Sequence, residues 1–359
     1  MANHTLEGRT LPRQKRGDTD LVGQIEGTLI DFLATQINAL DTIDPALSRF
    51  AQTACDLVLG GGKRLRPTFA YWGWRGVVGP DEPIQPVLPA IAALELMHTF
   101  ALVHDDVMDE SATRRGAPTA HRIFATQHGQ EGGLGDSSRF GSSSAILLGD
   151  LCLIWADQLL ARTPLSTATL FAVRACYDRM RIEAVAGQYL DVLGEARPSE
   201  WSLERALLVA RHKTASYTVQ RPLQFGMTLA GPSQSSAVDE AYGTYGACVG
   251  EAFQLRDDLL GVFGDPAVTG KPADDDLRTG KPTALLMLAR QLATPTQLTR
   301  LADKPTADLI AETGAPDEIE SLIKERVEDG VAALDEAPIH PDARAALTQL
   351  ADAATHRPA

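Results

Sequence analysis

Between Pro89 and Gly116 the chain runs without a single glycine or proline. A stretch of that length free of breakers permits one long helix, begun near the proline and stopped near the glycine. Its first part, AIAALELMHTFALV, is almost wholly apolar. Its end, HDDVMDESATRRG, gathers Asp105, Asp106, Asp109 and Glu110, then Arg114 and Arg115. Carboxylates this close repel and raise one another's pKa unless something positive joins them. A fold built on this segment must therefore enclose an oily helix and still present its acidic end to a cationic partner.

The rest of the chain repeats the helical half of that pattern. LVGQIEGTLIDFLATQINAL, SAILLGDLCLIWADQLLAR, LFAVRACYDRMRIEAVAGQYLDVLGE and AVDEAYGTYGACVGEAFQLRDDLLGVFG space their apolar residues by threes and fours. No segment alternates with period two, and no strand-helix-strand rhythm appears. Aromatic residues make up only 6% of a chain that is 44% hydrophobic, a balance that favours helix over strand. The fold class is all-α. Residues 1–20 are polar and aperiodic and read as a disordered tail; residues 21–359 show no convincing boundary and read as one all-helical domain. QEGGLGDSSRFGSSS reads as a mobile Gly/Ser break. A net charge of −14 argues against nucleic acid as a partner. Cys55, Cys152, Cys176 and Cys248 are scattered and read as buried thiols of a cytoplasmic protein. No apolar run reaches the roughly 18 residues of a membrane span.

A second helical segment, FQLRDDLLG, also ends in paired acids, Asp257 and Asp258. Asp105 and Asp109 stand one turn apart, about 6 Å along a helix axis, and share a face. Mg²⁺ is commonly held by one or two carboxylates plus substrate phosphates, and two sparse acidic walls suit it. A lone acidic string is more often a solvated face; two, each set in an apolar helix and each followed by cations, reverse that reading. Lys63, Arg64 and Arg66 beside three glycines add a second cationic cluster, suited to an anion gripped without metal. These glycines form no nucleotide loop. Leu57 stands where the first glycine of a phosphate loop belongs, and Arg64 and Pro272 follow the two candidate lysines, Lys63 and Lys271.

In order along the chain, GGKRLRP (61–67), LVHDDVMDESATRRG (102–116), LLGD (147–150), HKTAS (212–216) and GEAFQLRDDLLGVFGD (250–265) resemble the motifs of the trans-isoprenyl diphosphate synthases. The similarity runs from about Leu21 to the C-terminus. It implies an isoprenoid synthase-type helical bundle around a deep central cavity, usually a homodimer. It implies Mg²⁺-dependent head-to-tail condensation of isopentenyl diphosphate with an allylic diphosphate, using about three Mg²⁺ per site with Mn²⁺ as a substitute. By the same resemblance Asp105, Asp109 and Asp257 ligate metal, and Asp106, Asp258 and Asp276 reach it through water. Arg114, Lys213, Lys271 and Lys281 hold the allylic diphosphate. Lys63, Arg66, His98 and Arg115 hold isopentenyl diphosphate. Lys213, Thr214 and Gln254 place dipoles and charge near the developing cation. Gln188 and Asp191 of GQYLD are further candidates for the substrate site, whereas His104 reads as an ordinary helix histidine.

The product tail is expected to grow along the first acidic helix toward its N-terminus, past Ala101, Phe100 and Met97. An aromatic at Phe100 without an insertion in the motif goes, in that family, with a C20 product, geranylgeranyl diphosphate; farnesyl diphosphate is the alternative. Two positions depart from the family pattern: Gly261 replaces a third aspartate, and Asp274 replaces a loop glycine. A class I terpene cyclase would need no GGKRLRP cluster and would carry more aromatics. A non-catalytic regulatory subunit would be expected to lose one acidic motif, and here both keep their leading aspartates.

Overall fold

The computed structural model describes residues 21–232, 235–264, 277 and 280–355. The N-terminal segment 1–20, Lys271, Asp274 and Asp276 lie outside the described residues. Apart from one two-residue hairpin, the described residues that form regular structure are helical.

The first helices are α1 (Leu21–Ile43), α2 (Leu47–Leu59), α3 (Leu65–Val78) and α4 (Leu88–Met108). From Ala90 to Met97 every side chain of α4 is buried, so this part of the helix is covered on every side, as a helix apolar nearly all round must be. The helix stops at Met108, earlier than the absence of breakers implied. Asp109 caps it, and Glu110 then takes a left-handed turn with φ of 51°. The residues after Asp109 thereby leave the helix and form a hairpin, β1 (Thr113–Arg114) against β2 (Ala117–Pro118), with Arg115 and Gly116 at its tip. Thr119, buried behind the hairpin, donates its hydroxyl to the Ser111 carbonyl at 2.7 Å and ties the excursion back to its start.

Helix α5 (Ala120–Gln130) is followed by α6 (Ser137–Ala161). The Gly/Ser stretch expected to be mobile is helical from Ser137 onward. Asp136 caps it by accepting the Ser138 N–H at 2.8 Å, a contact worth about 1 kcal/mol, and Gly141 and Ala145 pack inward. Helix α6 is also long and apolar enough to match a membrane span, contrary to the reading of the sequence; here Leu148, Cys152, Trp155, Leu159 and Leu160 join the apolar core. Helix α7 (Thr167–Ala196) follows. Helix α8 (Leu203–Val209) then widens into a π-helical stretch, Ala210–Gln220, before α9 (Arg221–Leu229). Then come α10 (Ser236–Phe263), α11 (Ala284–Leu292), α12 (Pro295–Asp303), α13 (Ala307–Ala311), α14 (Ala315–Ala332) and α15 (Pro341–Thr355).

Two apolar cores hold the bundle. One gathers side chains of α1, α4, α6 and α7, including Phe32, Leu94, Trp155 and Tyr177. The other gathers α10, α11, α14 and α15, including Tyr245, Leu286, Ile323 and Leu347. Helix α3 serves both, with Ala70 and Trp74 in the first and Phe69 in the second. The free cysteines Cys55 and Cys152 are buried, as expected, while Cys176 and Cys248 are half-buried.

Candidate active site

A cavity of about 1370 Å³ opens between α4, α7, the π-helical stretch and α10. Asp105 and Asp109 line it from α4, and Asp257 and Asp258 line it from α10. Both acidic strings, more than a hundred residues apart in sequence, thus face one space. Lys213, Thr214, Gln254, Arg114 and Lys281 line it as well, as do Lys63, Arg66, His98 and Arg115.

The charges at the mouth are interleaved. Arg114, reaching back from the hairpin, donates Nε to Asp106 at 2.8 Å and a terminal nitrogen to Asp105 at 3.1 Å. Lys213 Nζ meets Asp105 at 3.1 Å and Asp191 at 2.5 Å. Lys281 Nζ meets Asp191 at 2.8 Å, Glu195 at 3.5 Å and Asp109 at 3.9 Å. Burial pushes the Asp105 carboxyl up, but Lys213, Arg114 and Lys281 together outweigh it and hold it below the usual carboxylate range. Asp109 goes the other way. Burial and the neighbouring Asp105 charge push it up to about 6, against the weaker pull of Lys281. Two carboxylates one turn apart therefore have opposite proton affinities because one has captured most of the cations.

Lys213 and Thr214 ride on the π-helical stretch, a conformation that recurs at functional sites. Its seat is set by Gly187 of α7: a Cβ there would lie 2.3 Å from the Lys213 backbone nitrogen. One turn earlier Glu183 accepts the Ser216 hydroxyl and two nitrogens of Arg221, at 2.8 and 2.6 Å, pinning the stretch and the start of α9 to α7. On the α10 wall Asp258 is 6% exposed. It takes the Gln254 amide at 2.8 Å and the Ala284 backbone N–H, at the start of α11, at 3.1 Å. Gly261, where a third aspartate was expected, lines the cavity without a charge.

The second cationic cluster sits on the other flank. Gly62 has φ of 140°, and a Cβ there would strike the Arg115 guanidinium. Arg115 itself donates to the Gly61 carbonyl, joining the glycine turn to the hairpin tip. The Arg66 guanidinium lies 4.0 Å over the Tyr217 ring and bonds Thr218 at 2.8 Å. His98 shares a 2.9 Å hydrogen bond with the Tyr217 hydroxyl. Burial, followed by the charges of Arg66 and Arg115, holds His98 well below its ordinary pKa, so the imidazole is neutral. Arg64 lines the cavity beside them, but its charge is taken up by a buried carboxylate. With φ of 48° it turns inward, 4% exposed, and pairs with the buried Glu95 at 2.7 Å.

Other expectations sort in the same way. Phe100 and Ala101 line the cavity. Met97 does not; at 1% exposure it is enclosed in the apolar core beneath the wall. His104 lines the cavity as well, its Nε2 lying 3.0 Å from the Ile146 carbonyl and 3.7 Å from Asp150. Gln188 donates to Asp105 at 3.1 Å. Tyr217 and Glu195 were not singled out from the sequence. Each stands four residues after a residue that was, Lys213 and Asp191, and so shares its helix face. Among the described residues no three carboxylate, imidazole or thiol groups converge to hold a metal by themselves. The donors are instead hard oxygens one or two to a wall, the set Mg²⁺ takes when substrate phosphates complete its shell.

An all-α bundle with paired acidic walls and two cationic flanks around one deep cavity defines a class of prenyl-transferring enzyme. The chain belongs to the polyprenyl synthetase family, whose model matches residues 48–323. The geranylfarnesyl diphosphate synthase of Aeropyrum pernix is 32% identical over 302 residues, 80% of this chain and 88% of that one. A geranylgeranyl diphosphate synthase of Mycobacterium tuberculosis is 32% identical over 301 residues, 80% of this chain and 79% of its own length. Among solved structures, geranylgeranyl pyrophosphate synthase from Corynebacterium glutamicum, complexed with isoprenyl diphosphate and magnesium, superposes with a TM-score of 0.88. It is 41% identical, covering 93% of this chain and 98% of that one.

Proposed function

We propose that this protein condenses isopentenyl diphosphate head-to-tail with an allylic diphosphate and releases a short-chain prenyl diphosphate, geranylgeranyl diphosphate. Farnesyl diphosphate is the second reading of chain length. The observation that carries the proposal is the meeting of Asp105 and Asp109 with Asp257 around one cavity whose wall continues into the apolar Phe100 and Ala101. Mg²⁺ held by Asp105, Asp109 and Asp257 would neutralise the charge that gathers on the departing diphosphate.

The chain's own residues divide the rest of the work. Lys213 and Lys281, with Arg114, grip the allylic diphosphate from the α4 side. Lys63, Arg66 and Arg115 grip isopentenyl diphosphate from the glycine turn, with neutral His98 offering a hydrogen bond rather than a charge. Separate cationic flanks keep the two anions apart while their hydrocarbon ends meet. Thr214 and Gln254 turn oxygen dipoles to the allylic carbon as positive charge develops there. The Gln254 amide nitrogen is already committed to Asp258, which leaves its oxygen for that task. The proton lost after the new carbon–carbon bond forms goes to the released diphosphate.

Two copies form the working unit in this reading. Ile146, Leu147 and Ile154 of α6 and Phe171 and Ile182 of α7 are exposed large apolar side chains, the kind of surface that a permanent dimer covers. The deciding experiment incubates purified protein and Mg²⁺ with isopentenyl diphosphate and each allylic primer, and reads product length. A C20 product is expected, and Phe100→Ala is expected to lengthen it. No chain elongation with any primer would refute the activity; unchanged products from Phe100→Ala would remove Phe100 as the floor.

A further inference from the structure

Lys213 and Lys281 reach the cavity mouth from different elements, one from the π-helical stretch and one from the segment ahead of α11. Both nevertheless bond the same atom, Asp191 Oδ2, at 2.5 and 2.8 Å. Like charges so close would separate on their own, and each lysine has somewhere else to go. Lys213 also touches Asp105 at 3.1 Å, and Lys281 touches Glu195 at 3.5 Å. Without a shared anion the two ammonium groups would part toward those carboxylates. Asp191 is itself buried, so its charge acts on these lysines with little screening by water.

We propose that Asp191 is a positioning residue: it clamps Lys213 and Lys281 side by side and so builds a two-ammonium cradle for a single diphosphate group. An ionised carboxylate has no proton to donate to a diphosphate oxygen, so its effect passes through the lysines. The clamp also sets the spacing. Two ammonium groups that share one oxygen lie within the sum of the two bond lengths, close enough for both to contact oxygens of one diphosphate. The inference rests on the reading of these lysines as the allylic diphosphate grip. It adds the residue that holds them together.

The test uses full-length Asp191→Asn and Asp191→Glu beside the wild type. Two measurements are made: calorimetric binding of inorganic pyrophosphate in EDTA, and steady-state KM for each of the two diphosphate substrates. Asp191→Asn is expected to weaken pyrophosphate binding, and to raise the allylic KM, by about ten- to a hundredfold, the loss of roughly one charge-assisted contact. The isopentenyl KM should stay within about twofold, because Lys63, Arg66 and Arg115 lie on the other flank. Asp191→Glu should recover most of the loss. Equal rises in both KM values would mean general damage to the fold and overturn the proposal. So would unchanged pyrophosphate binding, or a higher Mg²⁺ requirement with metal-free pyrophosphate binding intact, which would assign Asp191 to the metal. If the wild type made no prenyl product at all, the proposed activity would fall, and the pyrophosphate arm would still decide the clamp.

Discussion

Asp109 is a carboxylate that the folded, metal-free protein holds at a cost. Its side chain is 25% exposed, Asp105 lies one turn away, and the nearest cation, Lys281, stands 3.9 Å off and is engaged elsewhere. Its proton affinity rises from an ordinary value of 3.8 to about 6. Each tenfold change in proton affinity is worth about 1.4 kcal/mol, so the ionised form destabilises the folded state by about 3 kcal/mol near pH 8. Asp109→Asn removes the charge and keeps the shape. In EDTA near pH 8 it should be more stable than the wild type by about 1–3 kcal/mol, or roughly 1–4 °C in Tm for a chain of this size.

The sign with pH follows from the direction of the shift. A group whose proton affinity is raised by folding favours the folded state while protonated, and that contribution is lost as pH rises through the folded value. The stability difference between variant and wild type should therefore be near zero at about pH 4, open up through about pH 6 and stay constant above it. Thermal melts followed by circular dichroism across that range measure it. The same substitution deletes a proposed metal ligand, so Mg²⁺ should add to the rise in Tm that pyrophosphate alone produces in the wild type and add little in the variant, and prenyl transfer should collapse. A variant no more stable than the wild type in EDTA, or a difference that ignores pH, would refute the reasoning.

Two further outcomes test the frame around the site. Arg64→Ala should lower stability by about 3–5 kcal/mol, because it strands the buried Glu95 without its cation; a chemical denaturation curve reads it, and a loss below about 1 kcal/mol would return Arg64 to the surface cluster. Gly187→Ala forces a methyl group onto the Lys213 backbone, so it should displace the π-helical stretch and cut kcat by more than about tenfold, and near-normal kcat would mean that the stretch yields freely.

How much of this could be read beforehand differs from residue to residue. The helices and the two acidic strings were legible because period and charge are local properties, and five motifs in order identified their use. The end of α4 was not. No breaker marks it; the helix stops because Glu110 adopts a left-handed turn that the hairpin then fixes, held by bonds from Thr119 back to Ser111 and Ala112. Arg64 looked like its neighbours Lys63 and Arg66, since nothing in GGKRLRP says which arginine faces inward; the buried partner, Glu95, lies on another helix. The Gly/Ser run before Ala145 suggested disorder by composition, whereas small residues there let α6 pack closely and Asp136 supplies the cap. Met97 sat on the right helix and the wrong side of it, because its neighbours in space, not its spacing, decide whether a residue reaches the cavity wall.

One carboxylate on α10 also joins two parts of the cavity that share no sequence. Asp258 receives the first backbone N–H of α11, and Lys281 lies three residues ahead of that point. The acidic wall therefore tethers the lysine on the facing rim. Anything that draws Asp258 away from Ala284 gives slack to Lys281, so a disturbance on one wall is felt as lost grip at the opposite edge.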